Sequence, residues 1–204
     1  MNSILTRFST SIVSAGLLFS FVACSNSSTL SKTTNNNPSP TPDTTLAQTT
    51  LEPLLLYWSV ARQDNLSTAT SVGEYSAKDA GYVFARVEGC VFPTQQPGTV
   101  PLKLYWHPQR EDNFTTATPL GEQTATDVGY VLARVEGYVF PTQKPGTVPL
   151  KLYWHPDRED NFTTATPLGE QTAADVGYVF ARVEGYVFPA SQCEKTSNPR
   201  LERI

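Results

Sequence analysis

The chain has two histidines, three cysteines and one methionine among 204 residues, too few imidazole and sulfur ligands for the common transition-metal centres. The two histidines, His107 and His155, occupy one position of an internal repeat whose first copy carries Ser59 there. A symmetric three-histidine site is therefore excluded, no metal and no cofactor is expected, and both histidines read as exposed polar groups at strand ends. Positive charge is also scarce. With a formal net charge of −4 the protein lacks the basic footprint that phosphate backbones require, so nucleic acid is not an expected partner. Catalytic signatures are missing too: there is no Gly-x-Ser-x-Gly, no His-Glu-x-x-His, no Walker loop and no Cys-x-x-Cys,. No serine at all lies between Pro97 and Pro189. These absences point away from an enzyme.

Long apolar runs are few, and the longest, around Ile12 to Val22, is too short for a permanent membrane span,. Preceded by Arg7 and followed by Phe21-Val22-Ala23-Cys24, it reads as an export signal over residues 1–23 whose end resembles a bacterial lipobox, with Cys24 as the lipidated residue. An ordinary secretory signal cut nearby is the alternative. From Ser25 to Thr50, 20 of 26 residues are Ser, Thr, Asn or Pro, so residues 24–50 are expected to form an extended, disordered tether. The protein is thus expected to be extracytoplasmic, held in the cell envelope, and to meet the membrane through its lipid anchor only.

What the chain does have is repetition, with a period of 48 residues and no gap between copies,. Between Pro97–Pro141 and Pro145–Pro189, 42 of 45 positions agree. A more diverged first copy keeps the register: Tyr57-Trp58 answers Tyr105-Trp106 and Tyr153-Trp154, and Asp64-Asn65 answers Asp112-Asn113 and Asp160-Asn161. The copies are taken as residues 51–96, 97–144 and 145–192, followed by a polar tail at 193–204.

Within one copy, Thr99 to His107 alternates as a strand, Pro108 to Asp112 makes a turn, and Asn113 to Thr118 returns as a second strand,. Thr118-Pro119 and Gly129 bracket a short helix as N-cap, first-turn proline and terminating glycine,. Tyr130 to Phe140 is then a long strand, or two strands bent at Gly137,. One such unit cannot close a core. The expected fold is mainly β with one short helix per repeat, three copies closing with pseudo-threefold symmetry into a β-trefoil-like or three-bladed, propeller-like domain.

The segments Pro-Gly-Thr-Val-Pro-Leu-Lys-Leu-Tyr-Trp (97–106 and 145–154), Asp-Asn-Phe-Thr-Thr (112–116 and 160–164) and Val-Glu-Gly-Tyr-Val-Phe-Pro (135–141 and 183–189) resemble a tandem repeat module of secreted bacterial and fungal proteins catalogued as a domain of unknown function. The resemblance runs from Leu54 to Pro189. It implies an extracytoplasmic accessory module and supplies no ligand and no catalytic residue. Its usual Asp-His-Phe-Tyr-Thr-type motif is Asp-Asn-Phe-Thr-Thr in this chain.

The candidate ligand-binding residues are Tyr57, Trp58, Asp64, Asn65, Tyr105, Trp106, Asp112, Asn113, Tyr153, Trp154, Asp160 and Asn161. An exposed ring can stack on the C–H face of a pyranose while fixed Asp, Asn and Arg groups bond its hydroxyls. Adjacent Tyr and Trp point to opposite faces of a strand, so one set is core and the other outward, and alternation alone does not say which. Glu111-Asp112 and Glu159-Asp160 are explained as turn residues without chemistry. Arg86/Glu88, Arg134/Glu136 and Arg182/Glu184 sit two apart on one strand face, as a structural ladder or as part of a polar groove. Cys90 and Cys193 are expected to form a disulfide locking the ring, unpaired thiols being the alternative. The reading is a non-catalytic binding module for carbohydrate or another cell-surface polymer. A scaffold for an envelope protein, and an unrecognised hydrolase, are the rivals.

Overall fold

The computed structural model describes residues 50–194. The export signal, Cys24, the tether up to residue 49 and the tail beyond Glu194 lie outside them. The first copy runs β1 (Glu52–Ser59), β2 (Asp64–Thr68), α1 (Ser71–Asp79), β3 (Val83–Val91). The second repeats this as β4 (Val100–His107), β5 (Asp112–Thr116), α2 (Pro119–Val128), β6 (Val131–Val139), and the third as β7 (Val148–His155), β8 (Asp160–Thr164), α3 (Pro167–Val176), β9 (Val179–Val187). A short α4 (Ala190–Glu194) follows. It draws Cys193, assigned from sequence to the tail, into the domain.

Each copy is a three-stranded antiparallel sheet with its first strand in the middle, in the orders β2-β1-β3, β5-β4-β6 and β8-β7-β9. The local signals act as expected. Thr118 caps α2, its hydroxyl accepting from the Gly121 amide at 3.0 Å, and Gly129 ends the helix at φ 100°, a left-handed conformation that costs glycine little. The hairpin turns reverse through Gln63, Glu111 and Glu159, all with φ near the left-handed region at 55°, 52° and 52°.

The three sheets stay separate and meet as blades, without a closed barrel, so the three-bladed form of closure applies and the trefoil-like form does not. Along the axis Leu54, Leu102 and Leu150 pack with Val91, Val139 and Val187, all 0–1% exposed. At one end Phe92, Phe140 and Phe188 meet edge to face at 5.6–6.2 Å, a favoured aromatic geometry. The backbones approach closely there: a Cβ on Gly137 would lie 2.6 Å from Val91 and 2.9 Å from the Phe92 carbonyl oxygen. Cys90 is bridged to Cys193 across 103 residues, tying the first copy to the end of the third as expected. A cross-link closing so long a loop contributes about 2–5 kcal/mol.

The blades are joined by short backbone bridges, Cys90 to Phe188, Phe92 to Tyr138 and Phe140 to Tyr186, and by buried glutamates. Glu136 of β6 is 2% exposed and accepts from Thr68 Oγ1 at 2.7 Å, the Ala69 amide at 3.0 Å and Thr70 Oγ1 at 3.0 Å, all in the first copy. Glu184 makes the same three bonds to Thr116, Ala117 and Thr118, and Glu88 to Thr164, Ala165 and Thr166. The pattern is cyclic. Each carboxylate is also paired with the arginine two residues earlier, at 2.7, 2.5 and 2.6 Å for Arg86, Arg134 and Arg182. The Arg/Glu ladder is therefore structural. Replacing Glu136 with Ala orphans these donors and leaves Arg134 without its carboxylate, and should lower stability by about 3–5 kcal/mol in urea titration. Glu122→Gln, at the more exposed Lys103–Glu122 pair (2.6 Å), should cost less than about 1 kcal/mol.

Candidate binding pockets between the repeats

Three cavities lie at equivalent positions between neighbouring copies. Two have volumes of about 400 Å³ and the third about 290 Å³. Each is lined by a tryptophan and an asparagine from one copy and by a tyrosine and a turn arginine from its neighbour: Trp106, Asn113, Tyr82 and Arg62 between copies one and two; Trp154, Asn161, Tyr130 and Arg110 between two and three; Trp58, Asn65, Tyr178 and Arg158 between three and one. A second arginine, Arg134, Arg182 or Arg86, completes each wall. Single repeats do not contain this site. It exists only where two copies meet.

The aromatic pairs divide as alternation requires. Tyr57, Tyr105 and Tyr153 are 0%, 6% and 9% exposed and belong to the packed layers under the helices, away from these three cavities, although Tyr153 borders a separate one of about 560 Å³ with Pro167 and Glu170. Trp58, Trp106 and Trp154 are half-buried on the pocket side. Asn65, Asn113 and Asn161 sit opposite these tryptophans across the hairpin ladders. Their side chains are held in place: Asn113 Nδ2 donates to Asp64 Oδ2 at 2.6 Å, Asn161 Nδ2 to Asp112 Oδ2 at 2.9 Å and Asn65 Nδ2 to Asp160 Oδ2 at 2.9 Å. The hydroxyls of Tyr82, Tyr130 and Tyr178 donate to the same three carboxyls.

Asp64, Asp112 and Asp160 are thus not solvated turn residues. They are 1–2% exposed and converge at the end of the axis opposite the phenylalanines, one oxygen of each lying within 4.8 Å of the others. Such a set of hard oxygen donors is of the type that holds a divalent cation; the sequence named all three as ligand candidates but not their convergence, because they come from three copies. Burial pushes all three carboxyls upward, well up for Asp64 and to about 8 for Asp160, with repulsion from neighbouring carboxylates adding to the effect at both,. His107 and His155 are also buried. The Nδ1 of His107 accepts from the Arg110 amide at 3.1 Å and its Nε2 faces the Val128 carbonyl at 3.1 Å, which fixes the ring as a strut between turn and helix.

A family model described as a domain of unknown function (DUF5648) matches residues 53–188. The chain belongs to the DUF5648 family. The matched span contains all three blades and all three pockets, and agrees with the resemblance drawn from the repeat motifs. No curated protein and no solved structure matches the chain.

In this DUF5648 chain the clustered aspartates link folding to pH. A carboxyl whose pKa is higher in the folded state than in the unfolded chain takes up a proton on folding. Its stabilising part is complete below the ordinary carboxyl value, about 4, and is lost as pH rises through the folded value. With Asp160 at about 8, its contribution should make the urea midpoint fall between about pH 4 and 8, and Asp160→Asn should flatten that fall. A midpoint that rises over this range would contradict a protonated cluster.

Proposed function

We propose that the protein is a non-catalytic, extracytoplasmic binding module that takes carbohydrate, or another cell-surface polymer, in its three inter-repeat pockets. The observation that carries this reading is the combination, repeated three times, of a half-buried tryptophan with an asparagine whose amide is oriented by a buried carboxyl. The asparagine Nδ2 hydrogens are spent on the aspartate and tyrosine oxygens. What a sugar meets is therefore a flat ring beside a fixed amide and the wall arginines, which suits its two faces, one apolar and one bearing hydroxyls. Chemistry is not what these side chains suit: the histidines are braced, the axial carboxyls are buried, and no serine lies between Pro97 and Pro189. Repeated shallow sites favour a polymer, where multivalency raises a weak affinity. An export signal and a lipid at Cys24 would present the module at the envelope surface.

The pockets are not identical. Arg62 lies over the Trp106 ring at 6.0 Å and donates to the Ala80 carbonyl at 3.2 Å, whereas among the described residues Trp58 and Trp154 have no guanidinium over the ring. The pocket holding Trp106 is also the smallest. A scaffold that binds an envelope protein is the second reading, favoured by exposed apolar side chains on the outer strands: Val83 at 68%, Val131 at 63% and Val179 at 62%,.

Retention of the protein on immobilised polysaccharides tests the proposal. Trp58→Ala and Trp154→Ala should each weaken retention about tenfold, a loss on the scale of one interfacial anchor, while Trp106→Ala has the smaller effect and the urea midpoint changes little. Retention that survives all three substitutions, or none by any polysaccharide, would pass the weight to a protein partner on the outer strands.

A further inference from the structure

The three turn arginines differ in their company. Arg62 pairs with Glu111 of the next copy at 3.6 Å, and Arg110 pairs with Glu159 at 3.1 Å. Around the ring the corresponding neighbour of Arg158 is Gln63. Gln63 keeps the same backbone, φ 55° against 52° for both glutamates, so an amide stands where the other two turns have a carboxylate. Among the described residues no carboxylate oxygen lies within 4.0 Å of the Arg158 guanidinium. Asp157, its exposed chain neighbour, forms no ion pair and does not line the cavity.

Arg158 stacks over Tyr178 at 6.0 Å and lines the cavity with Trp58, Asn65 and Arg86. Behind Tyr178, Asp160 is 2% exposed and bonded to the tyrosine hydroxyl, turned inward to the axis. Arg86 spends its Nε on Glu88 at 2.7 Å, and its Nη2 is buried with no acceptor, as is that of Arg182 in the pocket between copies two and three, so the difference between the pockets rests on Arg158. The pocket between copies three and one therefore holds a guanidinium with no carboxylate partner beside a tryptophan face. In the other two pockets the equivalent arginine faces a solvent-exposed glutamate of the next turn.

We infer that the pocket between copies three and one selects an acidic sugar, one bearing a carboxylate or a sulfate, with Arg158 as the group that receives the anion and Trp58 as the platform under the ring. A guanidinium presents paired donors that suit either planar carboxylate or sulfate oxygens, and it stays charged at all working pH values. The inference deepens, and rests on, the reading of these pockets as saccharide sites.

The test titrates the purified protein with polygalacturonate, dextran sulfate and neutral dextran at low ionic strength. The expected result is tighter binding to the acidic polymers, which added salt weakens. Gln63→Glu installs the ion pair that the other two turns already tolerate, so it should fold normally and weaken acidic-polymer binding at least about threefold, leaving neutral dextran unaffected. Arg158→Gln should weaken acidic-polymer binding by a similar factor. Preference for polygalacturonate over dextran sulfate assigns the anion as carboxylate, and the reverse as sulfate. Acidic binding unchanged in both variants, with Trp58→Ala still abolishing it, overturns the role of Arg158 and leaves the saccharide reading standing. Failure of all three polymers to bind removes that reading, and the inference with it.

Discussion

A fully desolvated glutamate bonded to the helix start of another copy is the constraint from which the rest of this fold follows. Removing a carboxylate from water is costly, and it is tolerated only where donors replace the lost hydration. Each of Glu88, Glu136 and Glu184 finds its donors in a Thr-Ala-Thr segment of a different blade. The cap threonine then passes the contact on, its own oxygen accepting from the third amide of the helix, as Thr118 does from Gly121. Negative charge at a helix start is favourable in its own right. A lone copy would have one glutamate without donors and one helix start without its carboxylate, so the unit is closed only by a neighbour on each side. With three copies in a ring every such bond is made.

Threefold closure also produces the least comfortable feature of the molecule. A residue close to the axis is repeated close to the axis, so placing one aspartate there places three like charges together. The cluster is relieved by tyrosine hydroxyls, asparagine amides and backbone N–H groups such as that of Asn113, which donates to Asp64 Oδ1 at 3.0 Å. Each of those asparagines is also a wall of a pocket, and each tyrosine ring is another wall. The orientation of the polar pocket groups is therefore set by the axial carboxyls rather than by the pocket itself. This couples the proton content of the axis to the shape of the pockets at the seams.

The order strand, turn, strand, helix, strand was legible because its signals are local. Thr118, Pro119 and Gly129 announce a helix without reference to the rest of the chain, and strand alternation in Leu102, Leu104 and Trp106 needs no partner to be seen. Cys90 and Cys193 were legible as a pair because ring closure brings the two ends of the repeat array together. What lay beyond the sequence was which side chains meet between copies, that pair apart. Alternation showed that Tyr105 and Trp106 face opposite ways, but only the packed blades decide that the tyrosine goes in. Asp112 reads as a turn residue by composition, and its burial depends on two other aspartates 48 residues away on either side. The buried histidines were misread for the same reason: a braced ring and a solvated one leave the same mark in a single strand.

Because the pockets lie at the seams, a change in one copy alters a site shared with another. The first copy is the diverged one, and it contributes to two seams in different ways. It supplies Arg62 and Tyr82 to the seam with copy two, where Ser59 replaces a histidine, the Ser59 hydroxyl accepts from the Arg62 amide at 3.3 Å, and the arginine swings over Trp106. It supplies Trp58, Asn65 and Gln63 to the seam with copy three, where the charge of Arg158 is left unpaired. The seam between copies two and three joins near-identical units and keeps the symmetric arrangement, with Arg110 held by Glu159. Divergence in one repeat thus makes three distinct pockets out of one design: one narrowed and capped by its own arginine, one neutral, and one carrying a free positive charge. The glutamates that hold the ring are present in all three copies, so the framework stays fixed while the seams differ.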